Sequence, residues 1–432
     1  MRYQKSATME LKRGLSTDIK KEIIAFANGN GGTILVGIAD NGQISGVSDT
    51  GEVIRKVSAL AKNTIKPDVT VLIHCSVETI HGKDVVRIDV EKGTSSPYYL
   101  VEKGLCPAGV FVRKGSSSIA ASNIVIRRMI KRTDGNVFEQ MRSLNQDLTF
   151  EATAAEFTKR HISFTESLMK TLGLTNEDDI YTNLGLLLSD QCEHTIKVAA
   201  FAGKTKSIFK DRLEFSGPLL KQYQTVFAYL SSLDQTSAEF AGVTPVDNKD
   251  YPKEALREAL LNTIVHRDYS YNSSTLISIF DDRMEFVSMG GLAKRINFKD
   301  IMLGISHSRN EKLMEVFFSL DLIEAHGTGM QKIMNSYRDC TTKPEVKVSG
   351  NAFRLTLPNM NATAIAKSLN KNEQAVLQLF EHQEAIARKD VEALLAVSPS
   401  MAGKIVRQLV RKDALSVVGH GMNTKYVLKK ND

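Results

Sequence analysis

The sequence predicts an α+β protein of several domains, and three observations carry that expectation. Its 432 residues exceed what one hydrophobic core ordinarily organises. Stretches with apolar residues at helical spacing are interleaved with short apolar runs bounded by Gly, Asn and Asp turns. Charge is also partitioned: residues 1–132 carry +8, residues 366–432 carry +4, and the stretch between them carries −5. Two basic ends around an acidic centre point to the ends as the parts that meet a polyanion.

Composition narrows the class. With 42% hydrophobic and 24% charged residues and only 9 Pro, the chain is neither collagen-like, mucin-like nor wholly disordered. No apolar run approaches the roughly 18 residues of a membrane helix, and residues 1–12 hold no signal core, so a cytoplasmic protein without membrane contact is expected. Cys75, Cys106, Cys192 and Cys340 are far apart and form no C-x-x-C pair. They read as reduced, mostly buried small residues rather than zinc ligands or a disulfide framework.

In the first region, Ile19, Ile23, Phe26 and Ala27 share one helical face behind a Ser16 or Thr17 cap, and Asn28-Gly29-Asn30-Gly31-Gly32 stops that helix. A buried-looking strand covers residues 33–38, Asp40-Asn41-Gly42 turns the chain, and a second strand ends near Val47. His81-Gly82 separates strands over residues 71–80 and 84–90 as a hairpin. Gly109 to Ser116 ends in a basic, Gly/Ser-rich turn, where Arg113 and Lys114 are candidate contacts to phosphate.

Glu10-Leu11-Lys12, the helix ending in Ala25-Phe26-Ala27-Asn28, the run from Gly31 to Gly42 and Val112-Arg113-Lys114-Gly115-Ser116 together resemble the Schlafen AlbA-like domain. The resemblance implies a nucleic-acid-binding α+β module over residues 1–132. Some Schlafen members cleave RNA with a carboxylate cluster, since a divalent metal that activates water needs oxygen ligands. Glu10 and Asp40 match two positions of that pattern and are the catalytic candidates. The acidic residue that usually stands about five before Glu10 is Lys5 here, a cation that removes a ligand and repels the metal. Structural or positioning roles for Glu10 and Asp40 are therefore expected ahead of catalysis.

Residues 133–148 read as a polar connection, followed over 149–358 by a central domain with an apolar helix at 183–188 and a strand at 196–201. Two motifs there are coincidental. Gly203-Lys204-Thr205 resembles the end of a P-loop, but the motif's first glycine falls on Val198. His266-Arg267-Asp268 resembles a kinase catalytic loop, yet Asn272 comes one residue early and no D-F-G follows. More informative is the helix after Pro252, with Leu256, Ala259, Leu260 and Thr263 on its apolar side. Glu258 and Asn262, four apart, leave a common face. A carboxylate able to polarise water beside an amide oxygen able to ligate magnesium suits phosphate hydrolysis; the plainer alternative is a solvated helix face.

That helix, the strand-like stretches at 275–280 and 284–288, Met289-Gly290-Gly291-Leu292, Ser308-Arg309-Asn310-Glu311 and Ile323 to Met330 together resemble the carboxy-terminal ATPase-like domain of RecG-related proteins, a divergent GHKL fold. The resemblance implies ATP and Mg as cofactors, Glu258 as water-activating base and Asn262 as metal ligand. It further implies that Gly290, Gly291, Gly327 and Gly329 line the nucleotide. Ser288 stands where that family's adenine-box Asp is normally found. No P-loop motor is present, so translocation is not expected.

After an Asn-rich linker at 359–370, residues 366–432 read as three helices and a hairpin. Ser398 caps the third helix and Pro399 opens it. Ala402, Ile405, Val406 and Leu409 form its buried side; Ser400, Lys404, Arg407 and Arg411 form a stripe on the other. Residues 415–418 and 425–428 read as the hairpin strands. This order resembles a winged helix-turn-helix, which implies a third helix in the major groove of duplex DNA. The expected whole is a DNA-binding transcriptional regulator, a homodimer on paired half-sites, modulated by ATP or another ligand. The rivals are a Schlafen-like nuclease and a GHKL-type ATPase.

Overall fold

The computed structural model describes residues 3–233, 236–241, 244–292, 300–301, 308–323, 328–362, 369–381, 383–412, 414–419 and 424–428. The chain divides into two compact units, Met1–Cys192 and Glu193–Asp432. Residues 149–192, expected to begin the central domain, belong to the first.

The first unit is built on a four-stranded sheet. Met9–Lys12 runs parallel to Gly32–Val36, Lys83–Val90 pairs antiparallel with the latter, and Ile73–Ile80 closes the predicted hairpin. Alternation along Gly32–Val36 divides two cores. Ile34 and Val36 pack with Ile19, Ile23 and Phe26 of the helix Ile19–Ala27 and with Val57 and Ala61 of the helix Thr50–Thr64. Leu35 faces the other way, onto Leu11, Ile38 and Val85. Gly32 is required where the strand passes Phe26, because a Cβ there would overlap the ring. The hairpin Phe111–Lys114/Ser117–Ala120 follows, and then the helix Asn123–Asp134, whose Ile126 and Ile130 are buried with Tyr99, Leu105, Val110 and Ile180.

The second unit contains a six-stranded mixed sheet in the order Phe209–Phe215, Ile196–Phe201, Thr275–Ile279, Arg283–Met289, Ala352–Pro358, Glu345–Val348. Only the pair Ile196–Phe201/Thr275–Ile279 is parallel, and a parallel pair needs a long crossover. The helices Leu219–Leu233 and Lys253–Val265 lie within that crossover. Leu256, Ala259, Leu260 and Thr263 are buried as their spacing predicts, with Leu313, Val316, Phe317 and Ile333 of two later helices also buried. Further on, the helices Lys371–Gln378, Arg388–Leu395 and Pro399–Arg411 enclose a core of Val376, Ile386, Val391, Ile405, Val406 and Leu409. Leu415–Val418 and Lys425–Leu428 form the expected hairpin, and Ala385–Ile386 adds a third strand beside the latter. Among the described residues no cysteine forms a disulfide, and no helix is long and apolar enough to cross a membrane.

Candidate functional site

In the first unit the strand Met9–Lys12, the helix Ile19–Ala27 and the hairpin at Arg113 bring three carboxylates and three cations together. Arg113 donates from Nη1 to Glu10 Oε2 at 2.9 Å and to Glu22 Oε2 at 3.0 Å, and from Nη2 to the Ser6 carbonyl at 2.6 Å. Its guanidinium lies 4.8 Å from the Phe26 ring centroid. Lys5 Nζ bridges Glu10 Oε1 at 2.7 Å and Asp40 Oδ1 at 3.0 Å, and Lys12 Nζ is 3.2 Å from Glu22 Oε1. Ser118, opposite Arg113 in the hairpin, donates to Glu22 Oε2. Desolvation works against the Lys5 ammonium, but its bonds to Glu10 and Asp40 outweigh that and hold its pKa above the ordinary lysine value.

This is a charge-balanced knot. Glu10 and Asp40, paired by the family resemblance, are bridged by Lys5, which occupies the space between them. Among the described residues no group of three or more His, Cys, Asp or Glu is placed to hold a metal. Arg113 needs correction as a phosphate contact: its side chain is 6% exposed and neutralises two buried carboxylates, so it faces inward. Its neighbour Lys114 is exposed. Sequence reading missed Glu22, although it sits three residues after Ile19 and four before Phe26 and so on their buried face.

In the second unit, Glu258, Asn262 and Gly329 come together. Glu258 is 8% exposed, which excludes a merely solvated helix face. Its Oε1 accepts from Arg257 Nη2 at 3.0 Å. Its Oε2 lies at the first turn of the helix Gly329–Ser336, so close that a Cβ on Gly329 would stand 2.7 Å away. That end of a helix favours a carboxylate. Asn262 Nδ2 donates to the Glu258 carbonyl at 2.8 Å, while its Oδ1 makes no hydrogen bond among the described residues. Gly327 lies outside the described residues.

Gly290 and Gly291 line a different feature, a cleft of about 350 Å³ shared with Asp268, Tyr271, Leu292, Arg309, Gly350 and Asn351. Gly290 has φ +102°, and a Cβ on Gly291 would overlap the carbonyl oxygens of Ser349 and Gly350. Arg309 spans the cleft, donating to Asp268 Oδ2 at 2.8 Å and to the Gly291 carbonyl at 2.5 Å. Asp268 Oδ1 accepts from Ser270 N at 3.0 Å and from its hydroxyl at 2.6 Å, so both oxygens of this carboxylate are engaged. The second unit thus fits ATP and Mg unevenly. Asn262 Oδ1 and Gly329 suit a phosphate-bound cation, which is held by one or two protein oxygens plus phosphates. Among the described residues an adenine amino group finds no uncommitted carboxylate beside Gly290. The rejected motif residue Arg267 is structural: it is 2% exposed, stacks 5.0 Å from the Tyr269 ring centroid and bonds His194 Nδ1 at 3.2 Å. Burial, and then the charge of Arg267, pull the His194 pKa down to about 4.

On the helix Pro399–Arg411, Ser398 accepts from Met401 N, and Ala402, Ile405, Val406 and Leu409 are buried. Ser400, Lys404, Arg407 and Arg411 are all exposed. Among the described residues none of the three cations forms an ion pair or a hydrogen bond.

Comparison with known proteins bears on both units. Residues 5–122 match the family model described as "Schlafen, AlbA_2", and residues 273–357 match the one described as "Putative ATP-dependent DNA helicase recG C-terminal". The chain is therefore a multidomain α+β protein that joins a Schlafen AlbA_2 domain to an ATPase-like domain of the RecG carboxy-terminal type. These domain types tie it to nucleic acid. The second match covers Gly290, Gly291 and Gly329 and begins after the helix that carries Glu258 and Asn262. No curated protein matches the chain. Among solved structures, the crystal structure of the DIP2311 protein from Corynebacterium diphtheriae aligns over 98% of this chain and 92% of that one, at 17% identity and a TM-score of 0.47.

Proposed function

We propose that this protein is a cytoplasmic, homodimeric transcriptional regulator that binds duplex DNA through a carboxy-terminal winged helix. The observation that carries the reading is the helix Pro399–Arg411, whose four apolar side chains are buried while Lys404, Arg407 and Arg411 extend into solvent with no partner among the described residues. A helix anchored by one face and unsatisfied on the other can enter a major groove, its cations fixing register on phosphates. The three-stranded sheet behind it supplies the wing. A homodimer would set two such helices on paired half-sites.

Ligand control is assigned to the second unit. Bound ATP with Mg would be held at its phosphate end by Asn262 and Gly329, and it would supply a charge that repositions neighbouring helices. Glu258 is committed to Arg257 and to the helix end at Gly329, which favours a binding role over hydrolysis. In the first unit, Lys5 between Glu10 and Asp40 argues against metal-dependent cleavage. The test is equilibrium binding to duplex DNA across a salt series, comparing the protein with K404A/R407A/R411A. Loss of affinity with a shallower salt dependence supports the reading; identical curves overturn it.

A further inference from the structure

The first unit carries a second cationic surface, on the helix Asn123–Asp134. Its apolar side is fixed: Ile126 and Ile130 are fully buried, and Ser122 caps the start by accepting from Val125 N. Arg127, Arg128, Lys131 and Arg132 are all exposed. With 3.6 residues per turn they cover an arc of about 140° within two turns. Among the described residues none of the four forms an ion pair or a hydrogen bond. The helix contains one carboxylate, Asp134, and it is already committed: Arg142 donates to it from Nε at 3.0 and 3.1 Å and from Nη2 at 2.8 Å, and the Arg142 backbone N–H adds a bond of 2.9 Å.

Stabilisation of the helix accounts for only part of this pattern. Lys131 and Arg132 lie in the last turn, where cations complement the helix dipole. Arg127 and Arg128 lie earlier and gain nothing from that end. Both are also placed four residues from a like charge, Lys131 and Arg132 respectively, a spacing that is repulsive on a helix. Arginine reaches phosphate oxygens with a planar fork of donors, and a run of phosphates relieves the repulsion among all four side chains. Arg113, one of the two cations expected to meet phosphate, is turned inward, whereas this helix presents four exposed cations within two turns.

We propose that Arg127, Arg128, Lys131 and Arg132 form a sequence-independent binding site for the phosphodiester backbone of nucleic acid, separate from the carboxy-terminal helix. The site reads charge and not bases, so it accepts duplex DNA and single-stranded RNA alike. It stands on residues of the first unit and does not depend on the duplex-DNA reading of the second.

The experiment uses the full chain, with a mixed-sequence duplex DNA, a mixed-sequence single-stranded RNA and vesicles containing an anionic phospholipid as probes. The variants are R127A/R128A/K131A/R132A, the charge-keeping R127K/R128K and the carboxy-terminal K404A/R407A/R411A. The quadruple variant is expected to lose about tenfold or more in affinity for both nucleic acids at low salt, with a log–log salt slope shallower by about 3.6 on the duplex and about 2.8 on the single strand. R127K/R128K is expected to keep the slope. Affinity and slope unchanged in the quadruple variant would overturn the proposal, as would a loss seen only on vesicles containing an anionic phospholipid. A quadruple variant that loses binding while K404A/R407A/R411A keeps it supports this site and removes the carboxy-terminal one; the reverse result overturns this site and leaves the other standing. A thermal midpoint shared by the variants and the parent shows that the exposed substitutions leave folding intact.

Discussion

Arg113 and Glu10 form a nearly solvent-free ion pair, Nη1 to Oε2 at 2.9 Å with the side chains 6% and 3% exposed. The same guanidinium nitrogen serves Glu22, so one cation holds two buried carboxylates. Truncating one member of such a cluster leaves uncompensated charge in a low-dielectric site. R113A is expected to destabilise the first unit by about 3–5 kcal/mol, read from urea or guanidinium midpoints. A loss no larger than that of an exposed pair, under about 1 kcal/mol, would contradict the buried network.

The same cluster predicts the response to metal. Lys5 fills the space between Glu10 and Asp40, so millimolar Mg2+ or Mn2+ is expected neither to raise the thermal midpoint of the first unit nor to elicit cleavage of RNA or DNA that depends on Glu10. Metal-dependent cleavage abolished by E10Q would show instead that Lys5 yields its place.

His194 sets a pH dependence in the second unit. Its pKa is pulled from 6.5 to about 4 by burial and by Arg267, so the native state stays neutral where the unfolded chain has taken up a proton. Between those values the unfolded state binds more protons, and stability falls as pH drops from about 6.5 to about 4, by on the order of 3 kcal/mol. H194Q keeps an acceptor for Arg267 and removes the titration. Its stability, followed by denaturant midpoint across that window, is expected to lose this part of the slope; an unchanged slope would exclude His194 as the source.

Two glycines of the second unit test its backbone. Gly290 has φ +102°, and Gly291 has no room for a Cβ against the carbonyls of Ser349 and Gly350. G290A and G291A are each expected to cost about 1–3 kcal/mol in stability, measured by denaturation. Near-neutral values would mean that the cleft rearranges readily.

Much of this was legible in the sequence wherever local spacing decides. The helix after Pro252 buries Leu256, Ala259, Leu260 and Thr263, and the third carboxy-terminal helix starts at Ser398 and Pro399 with the expected buried side. The strand Met9–Lys12 escaped notice, being four residues long and dependent on a parallel partner more than twenty residues away. The helix Thr50–Thr64 does carry local signals: Asp49 caps it by accepting from Glu52 N, and Val53, Val57 and Ala61 recur at helical spacing. Arg113 was misjudged for a different reason. A basic residue beside a Gly/Ser turn reads as exposed, and only the tertiary fold brings Glu10 and Glu22, 103 and 91 positions away, onto its guanidinium. The four-residue spacing of Glu258 and Asn262 is readable in the sequence, whereas the contacts with Arg257 and Gly329 that restrain Glu258 come from packing.

The central claim, that the carboxy-terminal helix binds duplex DNA, is tested most directly by the salt dependence of binding in K404A/R407A/R411A. With three phosphate contacts removed, the log–log slope is expected to become shallower by about 2.7 and affinity near physiological salt to fall at least tenfold. An unchanged slope with unchanged affinity would contradict it.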